Sequence, residues 1–557
     1  MSNQTLWGLL ESHCATHPNK EWLFSRQGES VYQGRRYVDI KTDSELFALG
    51  LKSLGVLPTD NVGIFSENRP EWVVADLGIL SMGAVVVPLY ATSSMSDIKY
   101  IISDSSIKVM IVDTVERAEL LRDVRVDTCL NDIIVMESDQ TDMIGWESVL
   151  NTGQQSKKSV RIEYQKAQQR VNRDMLASIV YTSGTTGHPK GVMLTHHNIL
   201  SNVEDILQIL ALGDSDRVLS FLPLAHTFER TAGYYVPLAA GVQIYYAENI
   251  NSVAKDMLIA RPTVLVSVPR LYEKIHAKVL DNAKGLRKKI LFWALSLKPT
   301  DRVRRWIANW LVFSKIRKKT GGCIRFFVSG GAALSPSIAQ FFETMGFPMI
   351  AGYGLTETAP IVSCNRLEKR KVGTVGLPLP SVETKIADDQ ELLVKGPNVM
   401  QGYFKLPDET QAVIDQDGWL HTGDVVTMDA EGFLTIIDRK KEMIVLSNGK
   451  NISPVKVEEV IARHPEIEQV MVIGDKKNFL TALIVPSHAE NQYTHQWWKK
   501  EIDQYQSVLA NFEKVKKFVI IKRPFTQENG DLTPTLKLKR KVIRERYKAI
   551  IQSMYDE

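Results

Sequence analysis

One eleven-residue segment combines the residue types that bind phosphate: Tyr-Thr-Ser-Gly-Thr-Thr-Gly-His-Pro-Lys-Gly, at residues 181–191. Its two central glycines allow the main chain to approach a ligand, and the N–H groups of such a loop can donate to phosphate oxygens. The alternative is an ordinary surface turn rich in small polar residues. If the loop binds a nucleotide, the contacting residues are expected to be Thr182, Ser183, Gly184, Thr185, Thr186, Gly187 and Lys190.

The segment is not a Walker A motif. That motif requires a glycine, four further residues and then Gly-Lys-Ser/Thr. Here Gly187 is followed by His188 and Pro189. The apolar run 176–182 before the loop predicts a buried strand. Apolar residues over 199–210 recur at helical spacing. We therefore predict a strand, a glycine loop and a helix in that order.

Two further segments also follow apolar runs, and the carboxyl ends of parallel strands are where open α/β sheets bind ligands. The first is Ser329-Gly-Gly-Ala-Ala-Leu334, whose glycines would allow the backbone to lie against a flat base. The second is Tyr353-Gly-Leu-Thr-Glu-Thr358, in which Glu357 offers a carboxylate of the kind that binds magnesium, a hard cation. The alternative for this glutamate is a plain turn residue.

Other charged or polar side chains could also act on a nucleotide. Asp424 closes an Asp-Gly-Trp-Leu-His-Thr-Gly-Asp segment and can accept hydrogen bonds from both hydroxyls of a ribose. The charged run 437–440, taken in isolation, is typical of a solvated loop. In the basic C-terminal segment, Lys537 or the alternative Lys539 could stabilise negative charge during a reaction. His226 follows an apolar run, so a packed core histidine is the alternative to an active-site role.

These motifs and their order along the chain resemble those of the adenylate-forming enzymes. That group includes acyl-CoA synthetases, luciferases and peptide-synthetase adenylation domains. The resemblance covers essentially the whole chain, and the Pro-Thr-Leu-Lys sequence before Leu538 is similar to that of long-chain fatty acid–CoA ligases. Met428 departs from the aromatic residue that the family often has at that place. The resemblance implies that the catalytic residues are Lys537, Glu357, Thr356 and His226.

The resemblance also implies binding roles for other residues. Thr356 would contact phosphate, Glu357 would bind Mg²⁺, Asp424 would bind the ribose, and Arg439 would reach ribose or phosphate. Asp438 would be the hinge between a large and a small domain. The residues implied at the adenine are Gly330, Gly331, Ala332, Tyr353 and Gly354. The residues implied to line the tunnel for the thiol of CoA are Ser447, Asn448, Gly449 and Lys450.

The activity implied by the resemblance has two steps. A long-chain fatty carboxylate attacks the α-phosphate of Mg-ATP, which gives an acyl-adenylate and pyrophosphate. The small domain then rotates about its hinge, and the thiol of CoA takes the acyl group. One alternative keeps the first step and uses acyl carrier protein as the acceptor, which basic patches would suit. Another is a non-catalytic sensor of acyl nucleotides, although Lys537 and Glu357 are both present.

The fold class that the sequence predicts is α/β. Strand-like and helical runs alternate through the first 360 or so residues, which indicates mostly parallel sheets covered by helices. From about 373 to 437 short alternating runs predict antiparallel strands that form a small distorted β-barrel. The predicted domains are an N-terminal domain at 1–437, a hinge at 438–441, and a small, mobile α+β domain at 442–557.

Composition limits the other functions of the chain. The 557 residues carry a net charge of only +4, which gives no support for nucleic-acid binding. The four cysteines lie far apart, which argues against a disulfide framework or zinc site and fits a reducing compartment. The polar N-terminus has no secretory signal, so we expect a cytoplasmic protein. The apolar stretch 72–91 is interrupted by Asp76 and glycines and predicts a buried helix followed by a strand, not a membrane span.

One segment differs from this balanced composition. Residues 284–319 contain twelve lysines and arginines, a single acid (Asp301) and three tryptophans. Basic helices with tryptophan on one side can lie on anionic membrane surfaces, which would give peripheral contact with the cytoplasmic face of a membrane. The alternative is a helical hairpin that covers the domain with a solvated basic face.

Overall fold

The computed structural model describes residues 5–28, 31–137, 143–182, 188–249, 251–298, 300–488, 493–526, 528–532 and 538–556, and for 157–160 only the backbone. Contacts divide the chain into two compact units. The first is Met1–Glu383 with Val394–Leu420, and the second is Thr384–Leu393 with His421–Glu557.

Strands occur throughout both units. In chain order they are β1 (Glu21–Gln27), β2 (Val31–Arg36), β3 (Asn61–Phe65), β4 (Val85–Leu89), β5 (Val109–Val112), β6 (Asp132–Val135), β7 (Ile144–Gly145), β8 (Leu176–Thr182), β9 (Lys190–Thr195), β10 (Arg217–Ser220), β11 (Gln243–Tyr246), β12 (Val264–Ser267), β13 (Phe326–Ser329), β14 (Met349–Tyr353), β15 (Ser363–Cys364), β16 (Leu377–Pro378), β17 (Glu383–Ile386), β18 (Glu391–Lys395), β19 (Gly402–Tyr403), β20 (Leu420–Met428), β21 (Leu434–Arg439), β22 (Ile444–Val445), β23 (Asn451–Ile452), β24 (Ile467–Ile473), β25 (Leu480–Pro486) and β26 (Val515–Ile520).

Helices connect most of these strands. The α-helices are α1 (Leu6–Thr16), α2 (Tyr37–Ser53), α3 (Pro70–Ser81), α4 (Met95–Ser105), α5 (Val115–Leu120), α6 (Arg122–Val126), α7 (Trp146–Arg170), α8 (His196–Ile209), α9 (Val236–Ala240), α10 (Val253–Ala260), α11 (Pro269–Asp281), α12 (Leu286–Leu295), α13 (Arg302–Ala308), α14 (Ser314–Lys319), α15 (Pro336–Thr344), α16 (Pro407–Gln411), α17 (Pro454–Ile461), α18 (His495–Tyr505), α19 (Arg540–Arg546) and α20 (Lys548–Asp556). The π-helical turns are Glu229–Tyr235 and Asn309–Phe313, and the 3-10 turns are Thr356–Thr358, Gln506–Val508 and Asn511–Glu513.

Two sheets, each with a run of parallel strands, form the core of the first unit, as the alternation of strands and helices predicts. The eight-stranded sheet has the order β19-β9-β8-β4-β3-β5-β6-β7, with parallel pairing from β8 to β7. The nine-stranded sheet has the order β16-β15-β14-β13-β12-β10-β11-β1-β2, with parallel pairing from β14 to β1. The predicted helix and strand within 72–91 are α3 and β4, and all five residues of β4 are buried. Strands covered on both faces have such continuous apolar sequences.

Helix α8 confirms the helix predicted from the apolar residues over 199–210, but the prediction missed strand β9, which lies between the glycine loop and this helix. Strand β9 runs antiparallel to β8, with Lys190 opposite Thr182. Helix α8 begins only after Thr195, whose hydroxyl caps its first turn. Lys190, Gly191 and Thr195 flank the apolar residues of β9, so the strand shows neither a long apolar run nor a regular alternation.

The predicted barrel at 373–437 is also wrong, although the predicted strands are present. Within the described ladders, β17, β18, β20 and β21 form an open sheet in that order, and β16 belongs to the nine-stranded sheet. A barrel requires the first and last strands to pair, and here they lie at opposite edges. Spacing along the sequence gives strand lengths but not the pairing that would close a sheet.

The C-terminal part of the second unit has the predicted α+β composition. Strand β24 pairs antiparallel with β25, which pairs parallel with β26. Helix α17 packs its buried residues Val457, Val460 and Ile461 into the apolar core on one side of this sheet. A second apolar cluster includes Met471, Leu483 and Ile543. This part of the unit therefore has apolar clusters made of its own strands and helices.

A buried charged network joins distant parts of the first unit. The guanidinium of Arg230, in the π-helical turn 229–235, pairs with Asp76 of α3 and donates to Ser178 Oγ of β8 at 2.7 Å. The hydroxyls of Tyr234 and Tyr235 donate to the same carboxylate at 3.1 and 2.8 Å. Burial raises the pKa of Asp76, while the arginine and tyrosine contacts act in the opposite direction. Removal of one partner from such a pair costs about 3–5 kcal/mol.

Among the described residues, none of the helices combines the length and the apolar character that crossing a bilayer requires.

Candidate functional site

The predicted phosphate loop lies between two paired strands. Thr182 ends β8 and Lys190 begins β9, so the antiparallel pairing holds both ends of the loop together. Ser183, Gly184, Thr185, Thr186 and Gly187 lie outside the described residues. The ammonium of Lys190 lies 2.5 Å from Glu409 Oε2 and 5.1 Å from the ring centroid of Tyr403. The lysine, at the start of β9, is thus held by a carboxylate and an aromatic ring.

The predicted magnesium ligand lies beside the same tyrosine. Glu357 is in the 3-10 turn 356–358 that follows β14, and the hydroxyl of Tyr403 donates to Glu357 Oε1 at 2.8 Å. The backbone carbonyl of Glu357 also accepts from Met400 N at 2.9 Å. Because β19 pairs with β9, Tyr403 lies between Lys190 and Glu357. Two motifs that are far apart in sequence are therefore brought together in space.

Thr356 and His226 lie in neighbouring parts of the first unit. The hydroxyl of Thr356 is 3.5 Å from that of Thr227, the residue after His226. His226 is half-buried; its Nδ1 accepts from Phe228 N at 3.1 Å, and its ring meets Tyr90 edge to face at 6.2 Å. These contacts fix the orientation of the imidazole. The active-site role of His226 stays a prediction.

The predicted adenine segments lie just after β13 and at the end of β14. Gly330 is buried, and a Cβ at this position would lie 2.7 Å from the ring of Phe228. Gly331 has φ +78°, the left-handed region that favours glycine, and Ala332 is exposed. Tyr353 ends β14 and pairs with Ser363. These positions agree with the predicted location at the carboxyl ends of parallel strands.

Gly354 is expected to tolerate no side chain. A Cβ at Gly354 would lie 1.8 Å from the carbonyl oxygen of Pro360, which is backbone and cannot swing away. We therefore expect Gly354→Ala to lower the free energy of unfolding by about 2–4 kcal/mol, as measured by urea denaturation. Gly423→Ala is the comparison for altered backbone freedom without a clash, because Gly423 has φ +70° and open space around it. Equal stability of Gly354→Ala and the parent protein would contradict the expectation.

The second unit brings together the predicted ribose residue and its predicted neighbour. Asp424 of β20 lies opposite Arg439 of β21, and Arg439 Nε is 2.9 Å from Asp424 Oδ1. Asp424 is buried, and its N–H donates to Thr422 Oγ1 at 3.1 Å. Its carboxylate is therefore held in one place by the strand and by the guanidinium.

The predicted hinge residue Asp438 is buried at the end of β21. One of its carboxylate oxygens accepts from the hydroxyl of Ser453, and the other accepts from Arg439 N at 2.7 Å. Burial raises the pKa of this carboxyl, and the two hydrogen bonds oppose that shift. Whether the backbone rotates here stays a prediction.

The predicted CoA-tunnel residues form an exposed turn between β22 and β23. Gly449 has φ +78° and open space around it, and its N–H donates to the carbonyl of Leu446 at 2.9 Å. Ser447 Oγ donates to Asn478 Oδ1 at 2.6 Å, and the ammonium of Lys450 lies 5.0 Å from the ring centroid of Phe512. The remaining predicted tunnel residue, Asn448, is exposed in the same turn.

The predicted catalytic Lys537 lies outside the described residues. The alternative, Lys539, precedes α19, and its N–H donates to the carbonyl of Asp531 at 2.8 Å. The choice between the two lysines therefore stays a prediction.

Sequence reasoning did not find Tyr403, Glu409, Thr227 or Phe228 as partners of the predicted residues. Tyr403 lies in the two-residue strand β19 and Glu409 in the five-residue helix α16, and no motif marks either of them. Thr227 and Phe228 follow His226 directly, so proximity to a predicted residue was the available signal. The contacts of Tyr403 depend on the pairing of β19 with β9, which the sequence pattern does not reveal.

Tyr403 is expected to position Glu357. Tyr403→Phe removes the hydrogen bond to the carboxylate and keeps the ring beside Lys190. A hydrogen bond to a charged group contributes about 1.5–3 kcal/mol, so we expect about a tenfold loss in kcat and a higher magnesium requirement. Tyr403→Leu, which also removes the ring, is expected to lower activity further. An unchanged magnesium titration for Tyr403→Phe would contradict this role.

Comparison with protein families gives two matches that together span most of the chain. The model of a family described as AMP-binding enzyme matches residues 10–404. The model described as AMP-binding enzyme C-terminal domain matches residues 441–557.

Curated relatives and solved structures agree with these matches. The chain is 33% identical to long-chain-fatty-acid–CoA ligase FadD15 of Mycobacterium bovis, over 96% of this chain and 94% of that protein. It is also 33% identical to long-chain-fatty-acid–CoA ligase 5 of Rattus norvegicus, over 99% of this chain and 89% of that protein. The fold resembles that of the anthranilate CoA ligase AuaEII, solved with anthranoyl-AMP, with a TM-score of 0.79 at 22% identity and 99% coverage of both chains.

Proposed function

Since this chain belongs to the AMP-binding enzyme family, we propose that it is an ATP-dependent long-chain fatty acid–CoA ligase. The reaction joins a fatty acid to CoA with release of AMP and pyrophosphate, through an acyl-adenylate. The relatives that support this assignment cover nearly the whole chain, including its C-terminal unit.

The observation that carries the residue assignment is the position of Tyr403 between Lys190 and Glu357. A cation and a carboxylate from separate motifs both contact this one side chain. ATP needs both kinds of group, because its phosphates carry negative charge and its magnesium ion prefers oxygen ligands. Lys190 and the N–H groups of the loop would bind the phosphates, and Thr356 would donate to a phosphate oxygen.

Glu357 and its surroundings fit a magnesium ion brought in with ATP. No group of three or more His, Cys, Asp or Glu residues suited to a metal occurs in the described part of the chain. Magnesium usually keeps several waters and takes one or two carboxylates together with substrate phosphates, so a single carboxylate is sufficient here. Bound magnesium would neutralise phosphate charge. Tyr403 would hold the carboxylate of Glu357 in one orientation.

The remaining roles follow the chemistry of each side chain. Asp424 would accept hydrogen bonds from the ribose hydroxyls, and Arg439 would supply positive charge to ribose or phosphate. His226 would orient the fatty carboxylate without moving a proton. Lys537 would stabilise the charge that develops as the carboxylate attacks the α-phosphate. The turn at 447–450 would contact CoA.

The acceptor is tested directly by supplying one thiol at a time. Purified protein with ATP, magnesium and a long-chain acid is expected to form acyl-CoA, AMP and pyrophosphate when CoA is present. Replacement of CoA by phosphopantetheinylated acyl carrier protein tests the alternative acceptor, and faster transfer to the carrier would overturn the choice of CoA. Release of ADP in place of AMP would contradict adenylation itself.

The site of action is proposed to be the cytoplasmic face of a membrane. Long-chain acids partition into lipid bilayers because their chains are apolar. An enzyme that collects them gains by binding the bilayer peripherally. This supply route is separate from the chemistry and can fail without affecting the ligase assignment.

A further inference from the structure

The basic segment 284–319, called here the basic hairpin, is anchored to the first unit on one side only. It comprises α12, α13, the π-helical turn 309–313 and α14. Four of its buried apolar residues belong to a core cluster that includes residues of the nine-stranded sheet: Ala294, Leu297, Ala308 and Phe313. The inner face therefore has a structural role, to which the partly buried Leu295, Val312 and Ile316 also contribute.

The outer face of the basic hairpin exposes large apolar side chains to solvent. Val303, Trp306 and Trp310 are 74%, 70% and 68% exposed, and their spacing of three and four residues places them on one helical face. Leu286 of α12 is 73% exposed and Phe292 is half-exposed. Exposed apolar residues are unremarkable singly, but a group that includes two tryptophans marks an interaction surface.

The charge of the basic hairpin indicates the kind of partner. The segment contains twelve basic residues and one acidic residue, whereas the whole chain carries 68 basic and 64 acidic residues. Several of the basic side chains form no ion pair with another described residue, including Arg287, Lys288, Lys289, Arg304 and Arg305. Tryptophan beside lysine and arginine suits the boundary between lipid headgroups and acyl chains, where the ring is half in an apolar phase.

We propose that the basic hairpin docks the enzyme on anionic lipid bilayers, with its tryptophans at the headgroup boundary and its basic residues on lipid phosphates. The benefit of membrane docking rests on the proposed function, because the bilayer holds the long-chain acid that the ligase would use. Binding is peripheral and reversible. Since the charges are exposed, added salt screens them and weakens the binding.

The test measures vesicle binding without any substrate. The parent protein is expected to co-sediment with vesicles of phosphatidylcholine mixed with phosphatidylglycerol, and much less with phosphatidylcholine alone. The variant with Arg287, Lys288, Lys289, Arg304 and Arg305 replaced by Gln is expected to bind the anionic vesicles on the order of 100-fold more weakly. Equal binding of this variant and the parent would overturn the proposal.

A matched control removes the same charge from another surface. Lys499, Lys500, Lys516, Lys522 and Arg523 are all exposed in the second unit, and their replacement by Gln also removes five positive charges. This control is expected to bind like the parent. If it loses as much binding as the first variant, net charge and not the basic hairpin attracts the vesicles, and the proposal fails.

The tryptophans are tested by Trp306→Gln with Trp310→Gln. Both rings are exposed, so their removal leaves the core intact, which thermal unfolding can verify. We expect weaker vesicle binding that persists at high salt, where charge contributes least. A different result would overturn the proposal: the parent protein self-associates and does not bind vesicles, and the double variant is monomeric. The surface would then bind a second copy of the chain and not lipid.

Ligase activity separates this inference from the proposed function. With a long-chain acid supplied on serum albumin, the hairpin variants are expected to keep the parent rate. Loss of vesicle binding with that rate intact supports a docking role. A parent that binds anionic vesicles but forms no acyl-CoA would contradict the proposed function and leave the lipid surface standing.

Discussion

Lys537→Ala is expected to lower the rate of acyl-adenylate formation by about 10²–10³-fold, the cost of losing one group that stabilises charge in a transition state. The lysine is assigned to the attack on the α-phosphate, where negative charge builds up on the carboxylate and the phosphate. It has no assigned role in thioester formation. The transfer of a supplied acyl-adenylate to CoA should therefore proceed at nearly the parent rate.

The two half-reactions are measured separately for Lys537→Ala. Pyrophosphate release in the absence of CoA reports the first, and acyl-CoA formation from synthetic acyl-adenylate reports the second. Lys539→Ala serves as the matched control, since it removes the alternative lysine two residues away. If Lys539→Ala gives the large loss and Lys537→Ala does not, the assignment moves by those two residues. An equal loss of rate in both half-reactions would contradict the assignment of Lys537 to adenylation alone.

Glu357→Gln is the other substitution with a large expected effect. It keeps the size of the side chain and its contact with the hydroxyl of Tyr403 but removes the negative charge. We expect kcat to fall by about 10²-fold and the magnesium concentration for half-maximal rate to rise, because a neutral amide is a weaker ligand for a hard cation. Initial rates over a magnesium titration measure both.

The control for Glu357→Gln is Glu368→Gln, which removes the same charge from an exposed position in the same unit. It should leave the titration unchanged. Thermal unfolding checks that Glu357→Gln stays folded. A parent-like magnesium titration for the folded Glu357→Gln protein would return this residue to the role of a plain turn glutamate.

The sequence predicted elements well where one physical signal dominated. The apolar run at 176–182 matches β8, and the apolar stretch 72–91 divides into α3 and β4 as expected. Burial on both faces selects continuous apolar residues, and such runs are readable without knowing their neighbours. Strand β9 lacks this signal, because Lys190, Gly191 and Thr195 leave it only a short apolar run.

Pairings between strands were the main source of error. The prediction placed Asp424 and Arg439 in a nucleotide site individually but not as opposite residues of β20 and β21. Likewise Tyr403 became visible only through the pairing of β19 with β9. The open sheet in place of a barrel has the same cause. Pairing depends on chain segments far apart in sequence, and periodicity reports only local geometry.

The network around Asp76 has a consequence for how the chain is made. The acid lies in α3, whereas its guanidinium partner Arg230 and the two tyrosines are 154 to 159 residues further along. During synthesis the ribosome releases the N-terminal segment long before these partners exist, and an unpaired buried carboxylate is strongly unfavourable. The packing around α3 can therefore become native only after the π-helical turn 229–235 has emerged from the ribosome. This part of the nascent chain stays without its native packing until residues 229–235 have left the ribosome.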